Sequence, residues 1–139
     1  MKPPELADRK QKLVASNRRA RHDYSIVQTI EAGVVLQGTE VKSLRGGKCS
    51  MQDSYAAFVD KNSLELIVYN IHIDEYDFGN RENHKPKRER KLLVNYRESK
   101  KLKTQVMEKG ITLIPLSVYF SGPFVKIELG LAKAKKMYD

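Results

Sequence analysis

A single cysteine, Cys49, stands among the 139 residues of the chain. One thiol excludes an internal disulfide framework and suits a reducing compartment. Only three histidines are present, His22, His72 and His84, each isolated. The chain therefore lacks the close His/Cys pairs that a structural zinc site needs. No apolar stretch approaches the roughly 20 residues of a membrane-spanning helix, and residues 1–23 are polar and basic, unlike a secretory leader. No repeat or low-complexity tract occurs, which argues against a solenoid. A cytoplasmic address with no membrane partner is expected.

Catalytic motifs are missing as well. The run Lys42-Ser43-Leu44-Arg45-Gly46-Gly47-Lys48-Cys49 faintly resembles a phosphate-binding loop, but Lys42 occupies the place of the first glycine and Cys49 that of the Ser/Thr. Two glycines ending a helix explain it better. No Gly-x-Ser-x-Gly elbow is present. Asp74, Glu75 and Asp77 read as a solvated acidic loop. Neither an enzymatic activity nor a cofactor is expected.

Positive charge is abundant and segregated. The net charge is +9. Residues 1–23 carry seven Lys/Arg against three acids, residues 24–84 five against nine, residues 85–103 nine against two, and residues 126–139 four against two. Concentrating like charge costs stability through self-repulsion, so its segregation points to a polyanionic partner, and nucleic acid leads. The runs Arg18-Arg19-Ala20-Arg21-His22, Lys85 to Lys91, and Lys133, Lys135 and Lys136 supply phosphate-gripping groups. Tyr24, Tyr55, Tyr69 and Tyr96 are candidates for stacking on bases, with Tyr96 assigned to the core instead.

Hydrophobic patterning predicts a mainly β protein. Residues 1–16, with Pro3 and Pro4, read as a flexible N-terminal tail. Tyr24–Ile30 alternates as a strand, Gly33 interrupts it, and Val34–Leu36 resumes. Thr39 is placed to cap a short helix through Arg45, stopped by Gly46-Gly47. Tyr55–Val59 and Leu64–Ile73 read as a hairpin, followed by a polar loop over 74–84. A long helix is expected from Pro86 to Gly110, using Leu92, Leu93, Tyr96, Leu102, Val106 and Met107 as its apolar face. Ile111–Phe120 is a strand. Val125, Ile127, Leu129 and Leu131 alternate with wet positions in the clearest strand of the chain, where Gly130 signals a close backbone approach. Short antiparallel strands with one long and one short helix favour an oligonucleotide-binding-type barrel with flanking helices, because a barrel removes exposed edges.

Several segments together resemble one family. Asn17-Arg18-Arg19-Ala20-Arg21-His22-Asp23-Tyr24, Glu31-Ala32-Gly33, Gly38-Thr39-Glu40-Val41-Lys42-Ser43-Leu44-Arg45, Asp53-Ser54-Tyr55, Asn83-His84, Arg90-Lys91-Leu92-Leu93 and Leu131-Ala132-Lys133 are similar, in order, to the motifs of the small protein B family. These are the tmRNA-binding proteins of bacterial trans-translation. The resemblance implies an antiparallel oligonucleotide-binding-type barrel over residues 17–132. It also implies binding to the tRNA-like domain of tmRNA, delivery to stalled ribosomes, and an indirect relation to elongation factor Tu through aminoacylated tmRNA. A monomer is expected. By matching position it places RNA contacts at Glu31, Asn95 and Lys126, and a position sensitive for RNA binding at Leu93, which could act by packing. Arg19, Arg21, Lys42, Arg45, Lys91, Lys133, Lys135 and Lys136 fit phosphate contacts by charge. Glu31 would then serve selectivity, since a carboxylate beside RNA accepts hydrogen bonds and does not attract phosphate. The family continues into a long basic C-terminal tail, so residues 133–139 read as the start of a truncated one; a chain without it is expected to bind tmRNA but fail to support tagging.

Overall fold

In the computed structural model, residues 11–135 are described. Nine strands and three helices follow in order: β1 (Gln11–Ser16), α1 (Ala20–Asp23), β2 (Tyr24–Val34), α2 (Gly38–Arg45), β3 (Cys49–Ser50), β4 (Tyr55–Phe58), β5 (Leu66–Tyr69), β6 (His72–Ile73), β7 (Arg90–Leu93), α3 (Tyr96–Lys109), β8 (Thr112–Ser121) and β9 (Phe124–Ala134). A 3-10 turn spans Asn80–Glu82. Six antiparallel strands pair in the cycle β8-β4-β5-β7-β2-β9 and back to β8, giving the expected barrel. The β4–β8 seam is a single register pair, Ala56 with Leu113. β3 and β6 form a small separate ribbon.

The inner faces of the strands supply Leu66, Val68, Leu92, Leu113, Ile127, Leu129 and Leu131, all buried, and α2 and α3 add Leu44 and Leu102. At about 25 cal/mol per Å² of apolar surface removed from water, this cluster is the main stabilising element. A smaller cluster, Ala20, Ile114, Leu116 and Ala132, lies on the outer face, where α1 packs over β8 and β9. Gly130 makes that possible: a Cβ there would sit 3.0 Å from a methyl of Leu116.

Five sequence expectations are corrected. The tail assigned to residues 1–16 gives way to a strand at Gln11–Ser16, which pairs with Ser117–Ser121 of β8. β4 reaches only the start of that β8 edge, and β1 covers the rest, so backbone pairing and not side-chain burial recruits the segment. Residues 1–10, with Pro3 and Pro4, lie outside the described residues. The long helix splits. Arg90 and Leu92 point inward while Lys91 and Leu93 point out, as a strand between β5 and β2 requires. The helix starts only after Asn95, whose Oδ1 accepts from Glu98 N at 2.9 Å. Tyr96 is accordingly 67% exposed and not in the core. Finally, Gly33 does not interrupt β2, and Thr39 does not cap α2. Gln37 precedes that helix, donating its N–H to Glu40 Oε1 at 2.8 Å. Thr39 lies within the first turn and bonds His84 Nδ1 at 2.9 Å.

Candidate nucleic-acid interface

Strand alternation sends Glu31 and Gly33 of β2, Lys126 and Glu128 of β9, Ser117 and Tyr119 of β8, and Lys91 and Leu93 of β7 to the outer face. α1 covers one end of this face. The other end is open, and register assembles a row across it. Leu13 lies opposite Tyr119, Tyr119 opposite Lys126, Lys126 opposite Gly33, and Gly33 opposite Leu93. Glu31 falls two residues before Gly33 and faces Glu128. The Tyr119 hydroxyl reaches over β9 and donates to Glu31 Oε2. Burial, with Glu31 and Glu128 close by, pushes the Tyr119 phenol well above its ordinary range, so it remains a proton donor. Lys126 Nζ lies 5.8 Å from the Phe124 ring centroid. Leu93 is 52% exposed on this surface and its side chain lies against Gly33. Asn95, two residues on, begins α3 at the same edge.

α2 carries Lys42 and Arg45. Lys42 Nζ lies 5.4 Å above the Tyr76 ring and the Arg45 guanidinium 5.7 Å from Phe120, contacts that orient the stems and leave charge for a polyanion. Phe120 precedes the β8–β9 turn, so Arg45 stands at the Lys126 end of the barrel. Lys91 faces Glu65 at 3.8 Å, an exposed pair of little energetic weight.

The remaining cations gather elsewhere. Lys135 Nζ donates to Arg21 O at 2.8 Å, and Arg19 Nε is 3.7 Å from Asp23. Arg19, Arg21, Lys133 and Lys135 thus form a second patch around α1 and the end of β9. Lys133 is seven residues from Lys126, roughly 23 Å at about 3.3 Å per residue. A groove of about 1050 Å³ runs beside it, lined by Arg18, Arg19, Tyr24, Asp53 and Tyr55. Lys136 lies outside the described residues.

Two residues of the basic run 85–91 do not belong to any surface site. Arg90 is 1% exposed and Glu40 is fully buried. Arg90 Nε donates to Glu40 Oε2 at 2.5 Å, and its other nitrogens donate to Ile71 O at 2.7 Å and Pro86 O at 2.9 Å. Arg88 Nη2 donates to Glu40 Oε1 at 2.5 Å. Burial works to raise the Glu40 carboxyl, and bonds from Arg88, Gln37 N–H and Arg90 outweigh it, holding it below the usual range. Asn83 and His84 are structural as well. Asn83 bonds both N and O of Tyr76 at 2.9 and 2.6 Å. His84 Nε2 donates to Ile73 O at 2.9 Å, which leaves Nδ1 to accept from the Thr39 hydroxyl.

Residue-type searching missed Tyr119, Phe124 and Gly33. Alternation along β8 was the only signal for Tyr119. Gly33 contributes by lacking a side chain: the Leu93 side chain lies against it, 3.5 Å from where a Cβ would stand.

A small antiparallel barrel with an open, partly aromatic and basic outer face belongs to the class of nucleic-acid-binding barrels. Comparison narrows the class. The family model described as SmpB protein matches residues 14–139. The SsrA-binding protein of Carboxydothermus hydrogenoformans is 53% identical over 129 residues, covering 93% of this chain and 85% of the relative. That of Pelotomaculum thermopropionicum is 55% identical over 128 residues, covering 92% and 82%. A chain in the solved structure described as "tmRNA-SmpB: a journey to the center of the bacterial ribosome" superimposes with a TM-score of 0.71 at 48% identity, covering 90% of this chain and 86% of that one. The chain belongs to the SmpB family.

Proposed function

We propose that this chain binds the tRNA-like domain of tmRNA and delivers it to stalled ribosomes for trans-translation, acting as an adaptor and not as an enzyme. The carrying observation is the outer-face row. Glu31, Leu93 and Lys126 are dispersed over 96 positions of sequence, yet β7, β2 and β9 bring them to one open surface, and Asn95 follows two residues after Leu93 as the cap of α3. These are the positions that the family resemblance assigns to RNA contact. Lys126, Lys42, Arg45 and Lys91 supply attraction, Leu93 an apolar contact, and Glu31 and Asn95 hydrogen-bonding selectivity. Arg19, Arg21, Lys133 and Lys135 form a separate basic surface for a second RNA segment, and Lys136, outside the described residues, adds a further cation to it by charge alone. The partners on this reading are tmRNA, the ribosome and, through aminoacylated tmRNA, elongation factor Tu; the protein acts as a monomer in the cytoplasm.

Binding of labelled tRNA-like RNA across a salt series tests the reading. The wild-type chain should prefer this RNA over bulk tRNA at equal salt. Lys126→Ala should weaken binding and reduce the slope of log K against log salt by about one. A folded Lys126→Ala protein with unchanged slope, or a wild type without preference, would overturn it.

A further inference from the structure

Glu31 is held by a group outside the set already assigned to RNA. It is an acid on the open face of a chain of net charge +9, and the residue directly opposite it on β9 is another acid, Glu128. Like charges opposed across a ladder repel. Among the described residues neither carboxylate forms an ion pair. The side-chain hydrogen bond to Glu31 comes from Tyr119, which stands two strands away on β8 and spans β9 to reach it. Tyr119 itself is fixed in the outer row between Leu13 and Lys126.

We infer that Tyr119 is a positioning residue for RNA selectivity: its hydroxyl fixes the Glu31 carboxylate so that the remaining oxygen, Oε1, accepts a hydrogen bond from an RNA donor. The physical case has three parts. A glutamate side chain has three rotatable bonds and, unheld on a strand, samples many orientations. A tyrosine has two, so it delivers its hydroxyl to one place at lower entropic cost. The bond occupies Oε2 and, among the described residues, leaves Oε1 without a side-chain partner. The phenol, raised by burial and by the two carboxylates, supplies a proton permanently in the neutral range. The shared chemistry of the RNA group is a hydrogen-bond donor, either a ribose 2′-hydroxyl or a base amino or imino group. The inference rests on the functional reading above.

The test uses the whole chain with Tyr119→Phe, Glu31→Gln and the double variant, each checked for wild-type circular dichroism. The readout is the ratio of affinities for tRNA-like RNA and bulk tRNA. Tyr119→Phe removes a hydrogen bond to a charged group on an exposed face and should lower the ratio by roughly tenfold, about 1.4 kcal/mol. The salt slope should not change, since no phosphate contact is lost. The double variant should select no worse than Glu31→Gln alone, because the two residues act as one unit. RNAs with single 2′-deoxy substitutions and RNAs with inosine for guanosine separate the two donor sources: the true one removes the sensitivity to Tyr119→Phe. A wild type that selects its RNA while Tyr119→Phe selects equally well would overturn this inference and leave the functional reading intact. Additive losses in the double variant would also overturn it. A wild type with no preference would overturn both.

Discussion

Replacing Glu40 by Gln should be among the most damaging isosteric changes in this chain. The carboxylate is fully buried and accepts three hydrogen bonds, from Gln37 N, Arg88 and Arg90. The amide keeps the volume but removes the charge and turns an NH2 group toward a guanidinium. Arg90, 1% exposed, then stays buried with only the carbonyls of Ile71 and Pro86 to solvate it. Breaking a buried pair by removing one partner costs about 3–5 kcal/mol, a large share of the roughly 5–15 kcal/mol that stabilises a domain. Urea unfolding should therefore show Glu40→Gln destabilised by about 3 kcal/mol or more with an unchanged m-value. Arg88→Ala should cost about 1 kcal/mol or less, because its side chain is 29% exposed and screened by water. The pH dependence supplies an independent check. Glu40 has a depressed pKa in the folded chain, so its contribution is fully present above the ordinary carboxyl value, about 4.3, and is lost as pH falls through the lower folded value. The stability gap between wild type and Glu40→Gln should narrow in that acid window and stay constant above it. A loss under about 1 kcal/mol at pH 7, or a gap independent of pH down to unfolding, would refute the assignment of this triad as the clamp between α2 and β7.

Two further perturbations separate local geometry from the interface. Asn95→Ala removes the cap of α3 and should cost about 1 kcal/mol by urea unfolding, whereas Asn95→Ser keeps an acceptor for Glu98 N and should fall within about 0.5 kcal/mol of wild type. RNA affinity lost by Asn95→Ser beyond that small change measures the contact to RNA, and full affinity would reduce Asn95 to a cap. Gly130→Ala should destabilise by about 1–3 kcal/mol through overpacking, since its Cβ would meet Leu116 at 3.0–3.3 Å; a thermal melt equal to wild type would show that Leu116 yields.

The parts of this fold that the sequence announces are those governed by nearest neighbours. β9 alternates strictly because one face meets the core and the other meets water along its length, and α2 ends where Gly46 and Gly47 follow Arg45, Gly47 taking a left-handed φ of 74. The misread segments owe their conformation to distant partners. β1 has no useful periodicity and is a strand because a β8 edge needs a ladder. Arg90–Leu93 follows a helical spacing of leucines, and the slot between β5 and β2 overrides it. The Glu31–Tyr119 bond joins positions 88 apart, and nothing local to either residue encodes it.

Charge was the strongest functional signal in the sequence, and the fold changes what it means. The stretch 85–103 carries nine Lys/Arg against two acids, and its first part, Lys85 to Lys91, reads as a phosphate-gripping run. In the barrel it disperses. Arg88 and Arg90 neutralise Glu40, Lys91 faces Glu65, and Lys103 donates to the carbonyls of Asp60 and Ser63. Lys85, Lys87, Arg97, Lys100 and Lys101 stay exposed, and the further cations facing a polyanion come from α1, α2 and β9, three elements whose residues lie far apart in the chain. Counting charge along the sequence therefore identifies the kind of partner, while strand register decides which charges meet it. The acid on the open face shows the same point in reverse: Glu31 lies in the acidic middle of the chain by census, and register sets it opposite Glu128, two residues along β2 from the Gly33–Lys126 pair.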